Sequence, residues 1–122
     1  MSSVAVKSID VGEVRRAVDQ YAAALFAREP EVEEVVVFGS FERGTWVPGS
    51  DVDLLIVLSA SALPVHERVP ALLPGRFPTG LDLFPFTRAE LAARAPSPLL
   101  DAAAESRWRY RRPAEEDPVP TA

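Results

Sequence analysis

The chain has no cysteine, which excludes a disulfide framework, a thiolate metal site and a thiol nucleophile. Its one histidine, His66, lies between Val65 and Glu67 in a proline-bounded segment and reads as a surface residue rather than a catalytic base. No long apolar run exists: the longest run of branched aliphatic residues, Leu54 to Leu58, is far too short to span a bilayer. Met1-Ser2-Ser3-Val4 lacks the basic start and apolar core of a signal peptide, so a cytoplasmic protein without membrane contact is expected. Basic residues are in the minority, giving a net charge of −5, and an excess of that sign does not suit a general nucleic-acid binder. Neither a Gly-Lys-Ser/Thr phosphate loop nor the spaced oxygen ligands and closing glutamate of an EF-hand are present.

What is there is a soluble globular composition, 48% hydrophobic and 25% charged over 122 residues, enough for one domain that buries roughly two-thirds of its unfolded surface. That length leaves no room for a separate substrate-binding domain. The domain is expected to cover residues 1–112, and residues 113–122, with three prolines and three acids, read as a disordered acidic tail. Between Glu105 and Arg112 four arginines meet one glutamate, a local basic patch.

Periodicity sets the elements. Asp10 followed by Glu13 resembles a capping box opening a helix, and Val11, Val14, Val18, Tyr21 and Leu25 form one apolar stripe to about Arg28, closed by Pro30. Val35–Phe38 and Asp51–Leu58 read as buried strands. Between Pro64 and Pro78 only a short helix over Val65–Leu73 is allowed. Leu81–Phe86 is a third strand, and Pro85 indicates that it either lies at an edge or ends there. Thr87 to Glu90 is a capping box, Ser97-Pro98 starts another helix, and Trp108 and Tyr110 alternate with arginines in a short last strand. The fold class is mixed α/β (α+β), a small mixed sheet with helices packed against it.

The chemistry concentrates between Val35 and Leu58. Asp51 and Asp53, two apart on a strand, share a face about 7 Å apart along the chain. Paired carboxylates at the edge of an apolar sheet repel unless a cation stands between them, and an all-oxygen donor set favours Mg²⁺ or Mn²⁺. Asp82, flanked by Leu81 and Leu83, is a third acid, and if its strand lies beside the second, three carboxylates converge, enough for two ions roughly 3.5–4 Å apart. Gly39 lets backbone approach a ligand closely, and Ser40 to Arg43 reads as a helical first turn whose N–H groups, with the Ser40 hydroxyl and the Arg43 guanidinium, suit phosphate oxygens. For Asp51 to stand near Ser40 the first two strands must run antiparallel. Phosphate donors then face metal-binding acids, the geometry of a nucleoside triphosphate with its metals.

This pattern resembles the DNA polymerase β-type nucleotidyltransferase superfamily, in its compact branch, the minimal nucleotidyltransferases. The family pattern of Gly-Ser, ten residues, Asp-x-Asp and a later acid is met by Gly39-Ser40, Phe41 to Ser50, Asp51-Val52-Asp53 and Asp82. Gly39-Ser-Phe-Glu-Arg-Gly44 is close to the family's Gly-Ser-x-Ala-Arg-Gly, with Glu42 where a small residue is common. The resemblance implies that Gly39 and Ser40 hold triphosphate, that Asp51 and Asp53 bind metal, and that Asp82 completes the site and activates an acceptor hydroxyl. It implies transfer of a nucleoside monophosphate, AMP from ATP, with release of pyrophosphate and with Mg²⁺ or Mn²⁺ as cofactor. Minimal members commonly act as the antitoxin of a toxin–antitoxin pair, beside a helical HEPN-type partner whose tyrosine accepts the AMP. Two alternatives stand beside that expectation: a homodimer modifying a small hydroxylated molecule such as an aminoglycoside, and a non-catalytic antitoxin that neutralises its partner by occlusion.

Overall fold

The structure, a computed structural model, describes residues 10–113. Of the acidic tail expected over residues 113–122, all but Pro113 lies outside the described residues. α1 (Val11–Arg28) begins where Asp10 Oδ1 accepts from the Glu13 backbone N–H at 3.1 Å, an N-cap that satisfies one free helical donor. Only this forward bond of the expected box forms among the described residues. Val14, Val18, Tyr21 and Leu25 are buried as the stripe predicts and Ala22 joins them, but Val11 is 37% exposed. It lies one turn ahead of Val14, the first buried residue of the stripe among the described residues.

β1 (Val32–Phe38) starts three residues earlier than its β-branched run suggests, because Val32 is itself buried and pairs with Leu58. A one-turn helix, α2 (Ser40–Arg43), and a loop lead to β2 (Val52–Leu58), which runs antiparallel to β1 as expected. α3 (Val65–Leu72) then crosses to β3 (Leu81–Thr87), which pairs parallel with β2. α4 (Arg88–Arg94) and α5 (Pro98–Glu105) follow, and β4 (Arg109–Arg111) adds antiparallel to the other side of β1. The sheet order is β3-β2-β1-β4, a mixed four-stranded sheet as the sequence implies.

Alternation along the strands divides the core into two faces. Val35, Val37, Leu54 and Ile56 meet α1, Phe41 and Leu72 on one side. Val36, Phe38, Leu55, Val57 and Phe86 meet Leu91 of α4 and Leu99, Ala102 and Ala103 of α5 on the other. Trp108 and Tyr110 pack on the α1 side, where the Trp108 indole N–H donates to the Tyr110 hydroxyl and that hydroxyl donates to Asp19. Arg109 points the other way and caps α5, donating to the carbonyls of Ala103 and Ser106. Among the described residues no helix is long and apolar enough to cross a membrane.

Pro85 falls on the edge strand, as expected, where its missing N–H costs no ladder bond. Its carbonyl accepts from Arg68 of α3, a side chain only 5% exposed. Arg68 also donates to Leu63 O and forms a two-pronged pair with Glu90 at 2.6 and 3.0 Å. Glu90 in turn completes the Thr87 capping box that opens α4. One guanidinium thus ties together the helix over the sheet edge, the edge strand and the next helix. Ser97 has the extended backbone of an N-cap ahead of Pro98, but its hydroxyl makes no capping bond.

The Arg68 hydrogen bonds and the Thr87 amide hold Glu90 well below its ordinary value, at about 2. A depressed carboxylate contributes stability that is fully present above its unfolded value near 4.5 and is lost as pH falls through about 2. Glu90→Gln is therefore expected to lower stability by about 2 kcal/mol at pH 7, the partial exposure of Glu90 keeping it below the cost of breaking a fully buried pair. Urea titrations at a series of pH values check this: the gap between wild type and variant should close towards pH 2, and a gap independent of pH would show that the charge on Glu90 is not what stabilises the junction.

Candidate active site at the carboxylate end of the sheet

β1 runs out into Gly39, whose φ of +81° is a conformation that residues with a Cβ rarely adopt. That turn swings the chain into α2, where Arg43 N donates to Gly39 O at 3.0 Å and leaves the N–H groups of Ser40, Phe41 and Glu42 without a helical acceptor. Buried Phe41 fixes the turn to the core, and its ring stacks on Trp46 with centroids 6.1 Å apart. Gly44, at φ +76°, ends the turn. The return loop is closed by Ser50, whose Oγ accepts from Val47 N at 2.9 Å.

Register then places the acids. Asp53 is flanked by Phe38 on β1 and by Asp82 on β3, so the end of one strand and the beginnings of two others meet at one end of the sheet. Asp51 lies just before β2 rather than in it, and Val52 N donates to Gly80 O at 3.0 Å. Two glycines make room for the acids. A Cβ on Gly39 would lie 2.2 Å from Asp53 Oδ2, and one on Gly80 would lie 2.1 Å from Asp51 Oδ1. No side chain fits at either position while the carboxylates stay where they are.

Asp53 is half-buried, whereas Asp51 and Asp82 are exposed. Burial raises the Asp53 carboxyl first, the neighbouring Asp82 charge and its hydrogen bond add to that, Asp51 adds more, and Arg43 opposes them; the result is about 6. Among the described residues the site therefore has more negative charge than Arg43 offsets. That surplus, carried on oxygen donors alone, has the chemistry that suits a hard divalent cation. Among the described residues no three acidic or imidazole groups already stand at metal-cage spacing; Asp53 and Asp82 are the pair that is together.

Of the residues singled out in the sequence, Gly39, Asp53 and Asp82 meet directly, Asp51 is near enough to act on Asp53, and Arg43 acts on it from α2. Ser40 occupies the first position of α2. His66 is exposed on α3, away from these elements. Gly80 was not foreseen. Its signal was available as a glycine two residues ahead of Asp82, but only the parallel pairing of β2 with β3 shows that it faces Asp51.

Because Asp53 is raised, the folded chain keeps a proton that the unfolded chain has released between about 3.8 and about 6, so stability falls as pH rises through that window. Asp53→Asn is expected to stabilise the metal-free chain by about 1 kcal/mol at pH 7, the full shift being discounted for solvent screening. The gain should vanish below pH 4. Thermal melts in a chelating buffer measure it, and an unstable variant at pH 7 would mean that the carboxylate is a structural contact rather than a strained one.

The family model for the nucleotidyltransferase domain matches residues 18–91, from within α1 through Leu91 of α4, and contains all the acids and glycines above. No curated protein matches the chain by sequence. Among solved structures it is similar to a Sulfolobus solfataricus protein provisionally described as a nucleotidyltransferase, determined at 1.40 Å, with a TM-score of 0.54 and 23% identity over 68% of this chain and 75% of that one. That likeness concerns the fold. With the family model spanning more than half of its residues, the chain belongs to the nucleotidyltransferase-domain family.

Proposed function

We propose that the chain is a minimal nucleotidyltransferase that moves AMP from ATP to a hydroxyl on a protein, a tyrosine of a HEPN-type helical partner, in a toxin–antitoxin pair. The observation that carries the reading is the Asp53–Asp82 pairing at the end of the sheet where β1 gives way to Gly39-Ser40. The free N–H groups of α2, the Ser40 hydroxyl and the Arg43 guanidinium hold triphosphate oxygens. Asp51, Asp53 and Asp82 would hold Mg²⁺ or Mn²⁺, which when bound lowers the pKa of the acceptor hydroxyl and offsets charge on the leaving pyrophosphate. Asp82, exposed beside Asp53, takes the hydroxyl proton. The acceptor oxygen forms its bond to the α-phosphorus as the bond to the pyrophosphate oxygen breaks, and positioning with charge stabilisation supplies most of the rate. A protein acceptor is supported by the exposure of Asp51 and Asp82, which a hydroxyl on a bulky partner can reach. The HEPN identity rests on the resemblance of Gly39 to Asp53 to the minimal branch.

Transfer of label from α-phosphate-labelled ATP to a co-expressed helical partner, with and without Mg²⁺, tests the reading. Asp53→Asn and Asp82→Asn are expected to reduce transfer by about 10³-fold or more while the fold persists, in line with losing charge stabilisation at the reacting centre. Full activity in Asp53→Asn would sink the assignment. Gly80→Ala should lower transfer about tenfold, because a methyl group there displaces Asp51; unchanged transfer would remove Asp51 from the site.

A further inference from the structure

A second feature lies outside the carboxylates. Between α1 and the loop 75–78 runs a groove of about 750 Å³, lined by Glu13, Arg16, Gln20, Arg76 and Phe77 among others. It continues into a second of about 300 Å³ that shares Gln20, Arg76 and Phe77 and ends at Arg28. Arg16, Gln20 and Arg28 are separated by multiples of four and so share one ridge of α1. Twelve residues at 1.5 Å rise put the outer arginines about 18 Å apart, with Arg76 facing them from the loop. None of these three arginines forms an ion pair among the described residues, whereas Arg68, Arg88, Arg109 and Arg111 all do.

Three guanidinium groups against a single carboxylate, Glu13, along one groove, on a chain of net charge −5, form a field of the opposite sign to the rest of the molecule. We infer that this groove docks an acidic peptide segment of the protein that brings the acceptor hydroxyl. Charge complementarity selects an anionic occupant. A peptide is favoured over a nucleic acid because the arginines occupy one groove, with Glu13 at its edge, on a chain of net charge −5, whereas a nucleic-acid backbone is tracked by a basic face that spans much of a domain. The same loop continues through Gly80 to Asp82, so a segment gripped at Arg76 sits within six residues of the acids, at most about 20 Å of chain. The link to the acceptor rests on the transfer reading above; the groove's preference for acidic peptide does not.

Fluorescence anisotropy with a labelled ten-residue polyglutamate peptide, and separately with a ten-nucleotide oligothymidylate, tests the inference at low salt. The triple variant Arg16→Glu/Arg28→Glu/Arg76→Glu should bind the peptide at least tenfold more weakly than wild type. Arg107→Glu, which removes an exposed arginine elsewhere, should stay within twofold. The triple Arg→Gln variant should show the same direction with a smaller loss and guards against misfolding in the charge-reversed one. Calorimetric ATP binding, measured alongside, is expected to be equal in all of them; failure of ATP to bind even to wild type would count against the transfer reading and leave the peptide comparison intact. Unchanged peptide affinity in both triple variants, an equal loss in Arg107→Glu, or a loss confined to the oligonucleotide would overturn the docking assignment.

Discussion

Two carboxylates held side by side in a parallel strand pair repel each other, and the β2–β3 register lets neither Asp53 nor Asp82 leave. Much else in the fold serves to hold that register. β2 is the central apolar strand, with Val52, Leu54 and Ile56 fully buried, and a slip of one residue would turn those side chains to the opposite face. The core thus fixes Asp53 at the sheet's end with far more energy than the repulsion can recover. Glycines at 39 and 80 leave space for the acids, and each gives up a side chain to do so. An unfavourable cluster maintained by a favourable core is the general signature of a site built to bind something of opposite charge.

The parallel pairing brings a second demand. A parallel strand needs a crossover, and here α3 and its loop carry the chain from the end of β2 back to the start of β3. That leaves β3 as an edge, which natural sheets cover or interrupt. Both devices are used: Pro85 interrupts the donor pattern, and Arg68 covers the strand by donating to the Pro85 carbonyl. Because the same guanidinium pairs with Glu90, the edge is tied to the start of α4, and the position of Asp82 is stiffened through the strand that carries it. The groove beside α1 is lined by residues 75–78 of this same crossover, so a single loop connects a cationic surface to an anionic site.

The sheet's other edge is managed differently. β4 is only three residues long, and its arginines are engaged nearby, Arg109 on the carbonyls closing α5 and Arg111 with Glu34. The basic patch visible between Glu105 and Arg112 is therefore largely consumed by the fold. Three of the cations that form no ion pair among the described residues, Arg16, Arg28 and Arg76, are scattered in sequence and gather only when α1 packs beside the loop 75–78.

Local chemistry made much of this legible. The β-branched and apolar runs fixed the three long strands, because their side chains can be buried only in one alternating pattern, and Thr87 with Glu90 marked the start of α4 because a capping box needs only four consecutive residues. Gly39-Ser40 and Asp51-Val52-Asp53 could likewise be read together, since a tight antiparallel return keeps sequence neighbours close in space. What the sequence could not determine depended on contacts between distant segments. Val11 continues the apolar stripe in sequence but is exposed; nothing in the residues around Arg68 marks it for burial, yet it is buried against an edge strand seventeen residues away. Gly80 gained its meaning only from Asp51 on the neighbouring strand. Sequence by itself determined which residues could form each element and which acids could serve chemistry, since those follow from side-chain type and short-range spacing. Tertiary structure alone decided which of them meet, because register and crossover are set by burial summed over the whole sheet, and no local pattern carries that sum.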